Sequence, residues 1–292
     1  TSSIMRLSSV IMLICLVIAA ASCSGRVDKE KEVLASLLGR EIVIPDSLVC
    51  RILDTPIDYD MSDADYKIIT YIDSAGCVPC RMKLPTWNFV INDLMTCNDK
   101  EVAFLMILNT RDYDEISYKI KQDYFRHAVM QDNEGTFMKV NDLSAEEAYH
   151  TLLLDLNNQV VAVGNPAVNP KVREVYRRII TGDNTTDSPH LCEQPVEALG
   201  IIHAGDTIVT RFTLHNSTDS MLNIQEIAPS CDCVSAISSS AVIPPDSTSV
   251  ITMTFAVDSI QGSTRRYVDV YYNEKENPER LALHGYIVNT IQ

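Results

Sequence analysis

The sequence predicts two domains of different class, an α/β domain followed by an all-β sandwich. An apolar run at Lys67–Asp73 is followed by helix-favouring residues and by a second apolar run at Glu101–Leu108, which indicates a strand–helix–strand unit. Beyond residue 190, apolar residues recur with a period of two in several short stretches. Between these regions Thr181–Pro189 has no apolar residue and is typical of a linker. With 292 residues, the chain is long enough for two cores.

The N-terminus carries the features of an export signal. Met5 and Arg6 precede an apolar run from Leu7 to Ala21, and Ala20-Ala21-Ser22-Cys23 resembles a bacterial lipoprotein cleavage box. The run is shorter than the ~20 residues of a membrane-spanning helix. We therefore expect a signal peptide over residues 1–22, a lipid on Cys23, and a tether with a short helix over residues 23–40. An uncleaved anchor is the alternative, and both place the protein outside the cytoplasm.

Charge and cysteine content limit the classes of partner. The formal net charge is −15, which argues against a nucleic-acid partner because phosphate binding needs basic patches. Of nine cysteines, seven remain after removal of Cys15 and lipidation of Cys23. In an oxidising envelope, an odd number of thiols predicts at least one that is free, buried or metal-bound.

The sequence Cys77-Val78-Pro79-Cys80 follows the first predicted strand directly. Pro79 fits the first turn of a helix, so Cys77 is expected at the helix N-terminus. There, unpaired N–H groups and the helix dipole stabilise a thiolate, and the pKa of Cys77 should lie below the free value of ~8.5. Cys77 is thus the expected attacking thiol and Cys80, one turn further inside, the resolving thiol. Pro85 should kink the helix.

Two other roles for the cysteine pair stay open. A CxxC pair can be half of a zinc site, which would need a second Cys/His pair at suitable spacing, and this half of the chain contains none. It can also be a static structural disulfide. The strand-to-helix context favours redox chemistry over both.

A family resemblance supports this interpretation. The strand, CxxC and helix are similar to the thioredoxin fold, and CVPCRMKLPTWN resembles the C-x-P-C-R-x-E-x-P-x-x-N stretch of TlpA-type membrane-anchored thiol–disulfide oxidoreductases. Lys83 replaces the glutamate of that pattern, and Gly76 stands where thioredoxins usually have tryptophan. The resemblance implies thiol–disulfide exchange without a cofactor, protein disulfides as substrates and a membrane electron donor.

The remaining elements agree with a thioredoxin-like domain over residues 41–181. The segment also resembles thioredoxin-like lipoproteins of Bacteroides-type gut bacteria. The predicted elements are strands at Glu41–Ile44, Val49–Leu53 and Ala128–Gln131, a hairpin formed by Leu152–Leu156 and Val160–Val163, and helices at Val33–Leu38, Ile116–Phe125 and Val172–Ile180.

His150 marks a departure from the family. His150 to Asp155 resembles a P-T-x-x-x-D stretch whose cis proline packs against the disulfide, which implies a substrate groove of Val78, Pro79, His150 and Thr151. Because a non-proline cis bond costs ~3 kcal/mol, we expect a trans bond and a reshaped groove. His150 either shares a proton with Cys77 or is a solvent-facing or hydrogen-bonded loop residue.

The C-terminal strands predict an immunoglobulin-like β-sandwich over residues 191–292, after a linker at 182–190. The stretches APSCDCVSA, VIPPDSTSVITMTF and LALHGYI resemble a bacterial domain family of unknown function that is related to hydin- and ASPM-type immunoglobulin-like domains. Cys231 and Cys233 would share one face of a strand. They are weak candidates for metal binding, and a structural or free thiol pair is favoured. The possible further ligands are Cys192, His203, His215 and His284.

The sequence thus predicts a lipid-anchored cell-envelope thiol–disulfide oxidoreductase facing the periplasm or the cell surface, with reduction favoured over oxidation. The alternative is a non-enzymatic binding or scaffolding lipoprotein in which Cys77 and Cys80 form a static disulfide. A third hypothesis is envelope metal handling through Cys231 and Cys233.

Overall fold

A computed structural model describes residues 29–96, 100–182, 191–273 and 278–289. A mixed sheet with helices is followed by a region of β-sheets, as the sequence predicted at the level of fold class. The predicted signal peptide, Cys23 and nearly all of the predicted linker lie outside the described residues. Within the described ranges, no helix combines the length and the apolar character needed to cross a membrane.

The N-terminal sheet has seven strands in the order β2-β1-β5-β4-β3-β6-β7. Strands β3, β4 and β5 are parallel, and the others join antiparallel to their neighbours. The strands are β1 (Cys50–Ile52), β2 (Thr55–Ile57), β3 (Tyr66–Ile72), β4 (Val102–Leu108), β5 (Ala128–Gln131), β6 (Thr151–Asp155) and β7 (Val160–Val163). The helices are α1 (29–37), α2 (Val78–Met82), α3 (Leu84–Thr96), α4 (Tyr113–Gln122), α5 (Thr136–Val140) and α6 (Pro170–Thr181).

Both faces of this sheet are covered. Ile68 and Ile72 of β3 point to a core shared with α3, α4 and α6, whereas Ile69 and Tyr71 point to a core shared with α1 and α5. All seven residues of β4 are buried, as the continuous apolar run predicted. The active-site candidate therefore follows a central strand that is held on both sides.

The helix after β3 is interrupted rather than kinked at Pro85. Helix α2 ends at Lys83, which has a left-handed conformation with φ of 47°, and α3 begins at Leu84. A continuous helix would bring the Pro85 ring against the carbonyl of Arg81, four residues earlier. The chain avoids this clash by starting a new helix in which Pro85 lies in the first turn.

The C-terminal region consists of a five-stranded sheet, β12-β10-β14-β15-β8, and a three-stranded sheet, β11-β13-β9. Residues of both sheets contribute to one core cluster, so the sheets pack face to face. Only the type of sandwich, immunoglobulin-like, stays a prediction. The strands are β8 (Val196–His203), β9 (Thr207–His215), β10 (Leu222–Pro229), β11 (Val234–Ser238), β12 (Val242–Ile243), β13 (Thr248–Ala256), β14 (Gly262–Tyr272) and β15 (Glu279–Val288).

The outer face of the five-stranded sheet packs against the α/β region. Arg265 of β14 donates to the carbonyl oxygens of Met95 and Lys100 at 2.5 and 2.8 Å. Buried Val196 and Ala282 join the core that contains α3. These contacts lie where α3 ends and β4 begins. Because β3 and β4 are parallel, this end of the sheet is opposite the end of β3 that leads to Cys77.

Candidate functional site

A four-residue loop, Asp73–Gly76, connects the end of β3 to α2. Gly76 has φ of 72°, a conformation that is strained for a residue with a side chain. Cys77 is the N-cap of α2, and Pro79 lies in the first turn, as predicted. Cys77 and Cys80 form a disulfide with a Cα–Cα distance of 5.4 Å.

The surroundings of the two sulfur atoms match one part of the sequence prediction and correct another. The backbone N–H of Cys80 donates to the Cys77 sulfur at 3.3 Å, which is the helix N-terminal interaction expected for Cys77. Cys80 was expected to lie further inside, but both cysteines are exposed. The reason is that α2 has only five residues and a single turn near the surface, so Cys80 is not covered by a following turn.

Arg81 connects three parts of the site. Its Nη1 donates to the carboxylate of Asp73 and to the carbonyl oxygen of Ala75, both at 2.6 Å. Its Nη2 forms an ion pair with Glu147 at 3.1 Å, and Glu147 belongs to the 3₁₀ turn that precedes β6. A single guanidinium thus links the loop before the disulfide, helix α2 and the segment that carries His150.

Asp73 is held ionised in this network. Partial burial acts to raise the pKa of Asp73, but the hydrogen bonds from Arg81 and from the Ala75 N–H, together with the charge of Arg81, outweigh it and place the pKa below its usual value. The interaction with Asp73 raises the pKa of Arg81 in turn. The ion pair is therefore fully formed at neutral pH.

His150 lies beneath the loop rather than on an open surface. Its Nε2 is 2.8 Å from the Ser144 carbonyl oxygen, an acceptor, so Nε2 carries a proton. Its Nδ1 faces Asp73 at 3.9 Å, and its ring packs edge-on against Tyr71. Of the two roles considered for His150, these contacts match the hydrogen-bonded loop residue. The bond before it is trans, as expected.

The four residues proposed for the substrate groove separate into two groups. Pro79 is partly exposed beside the disulfide, whereas Val78 packs into the core that contains α3. His150 and Thr151 are each 2% exposed, and the Thr151 hydroxyl pairs with that of Thr70. A groove lined by the side chains of His150 and Thr151 is at odds with this burial. Thr151 is buried because β6 lies between β3 and β7, and His150 is buried beneath the loop that contains Asp73.

The cysteines of the C-terminal region are not arranged as a metal site. Cys231 and Cys233 form a disulfide, which removes the thiolates that metal binding needs. Among the described residues, no group of three or more candidate metal ligands occurs. Cys50 and Cys192 are free and buried, so the prediction of at least one free thiol is confirmed.

The roles of Asp73, Arg81 and Glu147 were missed at the level of sequence. Asp73 was interpreted only as the end of a strand, and Arg81 as a helix-favouring residue that matches the arginine of the TlpA-type pattern. The available signal was local, because an acid directly after a buried strand and a base four residues after Cys77 must both lie near the helix start. Glu147 had no such signal, since its position depends on the pairing of β6 with β3.

One family model matches part of the chain. Residues 192–287 match the model of a family described as "Protein of unknown function (DUF1573)". No curated protein matches the chain.

Solved structures with similarity to the chain include thioredoxin-like proteins from Bacteroides. A thiol:disulfide interchange protein from Bacteroides sp. is 15% identical, with a TM-score of 0.36, over 52% of this chain and 94% of that one. The thioredoxin domain of a thiol-disulfide oxidoreductase from Bacteroides vulgatus is 15% identical, with a TM-score of 0.36, over 48% of this chain and 97% of that one. A Porphyromonas gingivalis protein of unknown function is 12% identical, with a TM-score of 0.28, over 32% of this chain and 44% of its own length.

Proposed function

We propose that this protein is a cell-envelope thiol–disulfide oxidoreductase that acts through Cys77 and Cys80 and works as a reductase. The observation that carries the proposal is the exposed Cys77–Cys80 disulfide at the start of α2, with the Cys80 N–H directed at the Cys77 sulfur. In the reduced protein the same N–H group stabilises a Cys77 thiolate. A TlpA-like sequence around the pair adds support for a thioredoxin-like domain with this chemistry.

The reaction follows from the order of the two thiols. The Cys77 thiolate attacks one sulfur of a substrate disulfide, and the other substrate sulfur leaves as a thiolate and takes up a proton. The Cys80 thiol then loses its proton and attacks Cys77, which releases the second substrate thiol and forms the Cys77–Cys80 disulfide. Two electrons pass from the dithiol to the substrate, and a membrane electron donor has to return them.

The cellular setting of the proposal comes from the N-terminal sequence. A lipid on Cys23 would hold the protein at a membrane of the envelope, with both domains facing the periplasm or the cell surface. In this setting, protein disulfides are available as substrates.

A redox titration tests the proposal against a scaffolding role. The Cys77–Cys80 pair should equilibrate with glutathione and have a potential above roughly −300 mV, whereas a structural disulfide should resist reduction. A Cys80→Ser variant should accumulate a mixed disulfide with substrate, because resolution is blocked. The matched Cys77→Ser variant should accumulate none. A potential well below that value, with no trapped species, would favour the scaffold.

A further inference from the structure

A second disulfide lies where the chain passes from one sheet of the sandwich to the other. Cys231 and Cys233 occupy the turn between β10 and β11, with a Cα–Cα distance of 5.2 Å and one residue, exposed Asp232, between them. Both cysteines are partly exposed. The pair is therefore only partly covered, although each residue also packs against the sandwich core.

The two free cysteines differ sharply from this pair. Burial raises the pKa of Cys50 to about 12 and that of Cys192 to about 11, so these thiols stay protonated and covered. Among the described cysteines, exchange chemistry is thus restricted to the two exposed or partly exposed disulfides.

The backbone around Cys231 and Cys233 is held without the disulfide. The Val234 N–H donates to the Cys231 carbonyl oxygen at 3.1 Å, and the Ala256 N–H donates to the Cys233 carbonyl oxygen at 2.9 Å. Ser230, just before the pair, bonds to Tyr267 of β14 through both its N–H and its hydroxyl. A disulfide that closes so short a loop removes little entropy from the unfolded chain. We therefore expect the fold to persist when this bond is reduced.

We propose that Cys231–Cys233 is a second thiol–disulfide exchange site that accepts two electrons from a protein dithiol. A thiolate of the dithiol attacks one of the two sulfurs, and the other sulfur leaves as a thiolate and is protonated. The second thiol of the dithiol then loses its proton and attacks the mixed disulfide. The donor ends as a disulfide, and Cys231 and Cys233 end as two thiols.

The donor has to be a dithiol because of the spacing of the pair. After the first attack, the cysteine that was not attacked carries a free thiol, and it lies one residue from the mixed disulfide. Its effective concentration is therefore high, so it attacks the mixed disulfide and expels a bound monothiol. Only a donor with its own second thiol competes with this reversal. A monothiol such as glutathione therefore reduces the pair poorly.

The donor also has to belong to another molecule. The sandwich packs against the end of the sheet at which the parallel strands β4 and β5 begin. Cys77 follows the opposite end of the seven-residue strand β3. A strand of this length spans about 23 Å, so the two disulfides of one copy lie too far apart to exchange.

The experiment uses the full chain with Cys77→Ser and Cys80→Ser, so its outcome is independent of the function proposed for that pair. Native protein is treated with dithiothreitol, alkylated and analysed by mass spectrometry. The proposal predicts reduction of Cys231–Cys233 at a rate within about tenfold of that in urea, because no unfolding is needed. Cys50 and Cys192 should stay unalkylated and thereby report that the protein remained folded. Glutathione at the same thiol concentration should leave the pair oxidised.

Two results would overturn the proposal. One is native reduction that is slower than in urea by more than about tenfold, and the other is alkylation of Cys50 or Cys192 along with the pair. Either would show that the disulfide is structural.

Single variants Cys231→Ser and Cys233→Ser give a second measurement, because reversal is no longer possible. At least one should form a stable mixed disulfide with glutathione disulfide, and no adduct in either variant would also reject the site.

Discussion

Arg81 is the residue that fixes the geometry before the Cys77–Cys80 disulfide. It binds Asp73, the Ala75 carbonyl oxygen and Glu147, and its side chain is 20% exposed. Charge-assisted hydrogen bonds in partly buried positions are stronger than those of exposed ion pairs. The loop that presents Cys77 is therefore held through one side chain.

Replacing Arg81 should destabilise the α/β region and loosen this loop. In Arg81→Met, Asp73 loses its main partner while it stays partly buried, and we expect a loss of about 1–3 kcal/mol in the free energy of unfolding. Arg178→Met is the matched control, since Arg178 forms an exposed helix pair with Glu174 and should cost less than about 0.5 kcal/mol. Urea unfolding at pH 7 measures both variants. Equal stability of the two variants would contradict the role of Arg81.

Exposure of both Cys77 and Cys80 makes their reactivity a question of charge, not access. In the reduced protein, the Cys80 N–H and the helix start favour the thiolate at Cys77. Near pH 6.5, iodoacetamide should modify Cys77 ahead of Cys80, and the rates should converge near pH 10, where both thiols ionise. Peptide mass spectrometry in a Cys231→Ser/Cys233→Ser background measures the rates. A ratio that does not change with pH would argue against thiolate stabilisation at Cys77.

At the scale of the elements, the junction of α2 and α3 concentrates backbone strain at Lys83. This residue ends α2 with φ of 47° and ψ of 43°, a region that costs a residue with a side chain about 1 kcal/mol. Lys83→Gly should therefore raise the free energy of unfolding by about 0.5–1 kcal/mol. Lys83→Ala removes the side chain but keeps the strain, so it is the control and should change little. If both variants had the same stability in urea, strain at Lys83 would be absent.

The elements that the sequence predicted well are those whose pattern is local and strong. Strand β4 is a continuous apolar run, β3 and β5 are largely apolar, and the hairpin of β6 and β7 has an asparagine-containing turn. Strand β2 was missed because it is an edge strand with Pro56 and mostly exposed residues. In the C-terminal region, the apolar alternation predicted β9, β13, β14 and β15. It missed β8, β10, β11 and β12, along which apolar and polar residues do not alternate regularly over a full strand length.

At the scale of the whole molecule, the interface between the two regions could not be predicted from local pattern. It depends on residues far apart in sequence, such as Arg265 with Met95 and Tyr286 with the Asp58 carbonyl oxygen. The same limit applies at the candidate site, where Glu147 reaches Arg81 only through the pairing of strands. Chemistry located on one helix was visible in the sequence, and chemistry assembled across elements was not.

The interface also buries two histidines that make stability depend on pH. His127, before β5, stacks on His284 of β15 with ring centroids 5.9 Å apart. Burial lowers the pKa of His127 to about 3 and that of His284 to about 4. The electrostatic cost of protonating two adjacent rings adds to the effect for His127, and the charge of Arg265 adds to it for His284. Neither ring nitrogen of His127 has a hydrogen-bond partner among the described residues. The folded state therefore holds both rings neutral.

We expect acid to destabilise the full chain between pH 6.5 and about 4. The unfolded chain binds a proton at each histidine below about pH 6.5, and the folded chain does not. Stability is thus fully present above pH 6.5 and falls as the pH drops toward the folded-state pKa values. Each histidine contributes up to about 1.4 kcal/mol per pH unit to the change in the free energy of unfolding. Burial also raises the pKa of the partly exposed Glu101 carboxyl, which adds its own pH dependence, so the histidine effect is isolated by comparing variants.

His127→Phe isolates the contribution of His127 to the pH dependence of stability. The His127 ring already lies among the rings of Phe104 and Phe125, and phenylalanine leaves no polar atom unpaired, so stability at pH 7.5 should be kept or raised. Urea unfolding from pH 7.5 to 4.5 should show that the free energy of unfolding falls less steeply with pH in this variant than in wild type. The difference should correspond to close to one fewer proton taken up on unfolding. His215→Gln, at an exposed position of β9, is the control and should keep the wild-type slope. If His127→Phe also kept that slope, His127 would be protonated in the folded state, and the interface would not be the source of acid sensitivity.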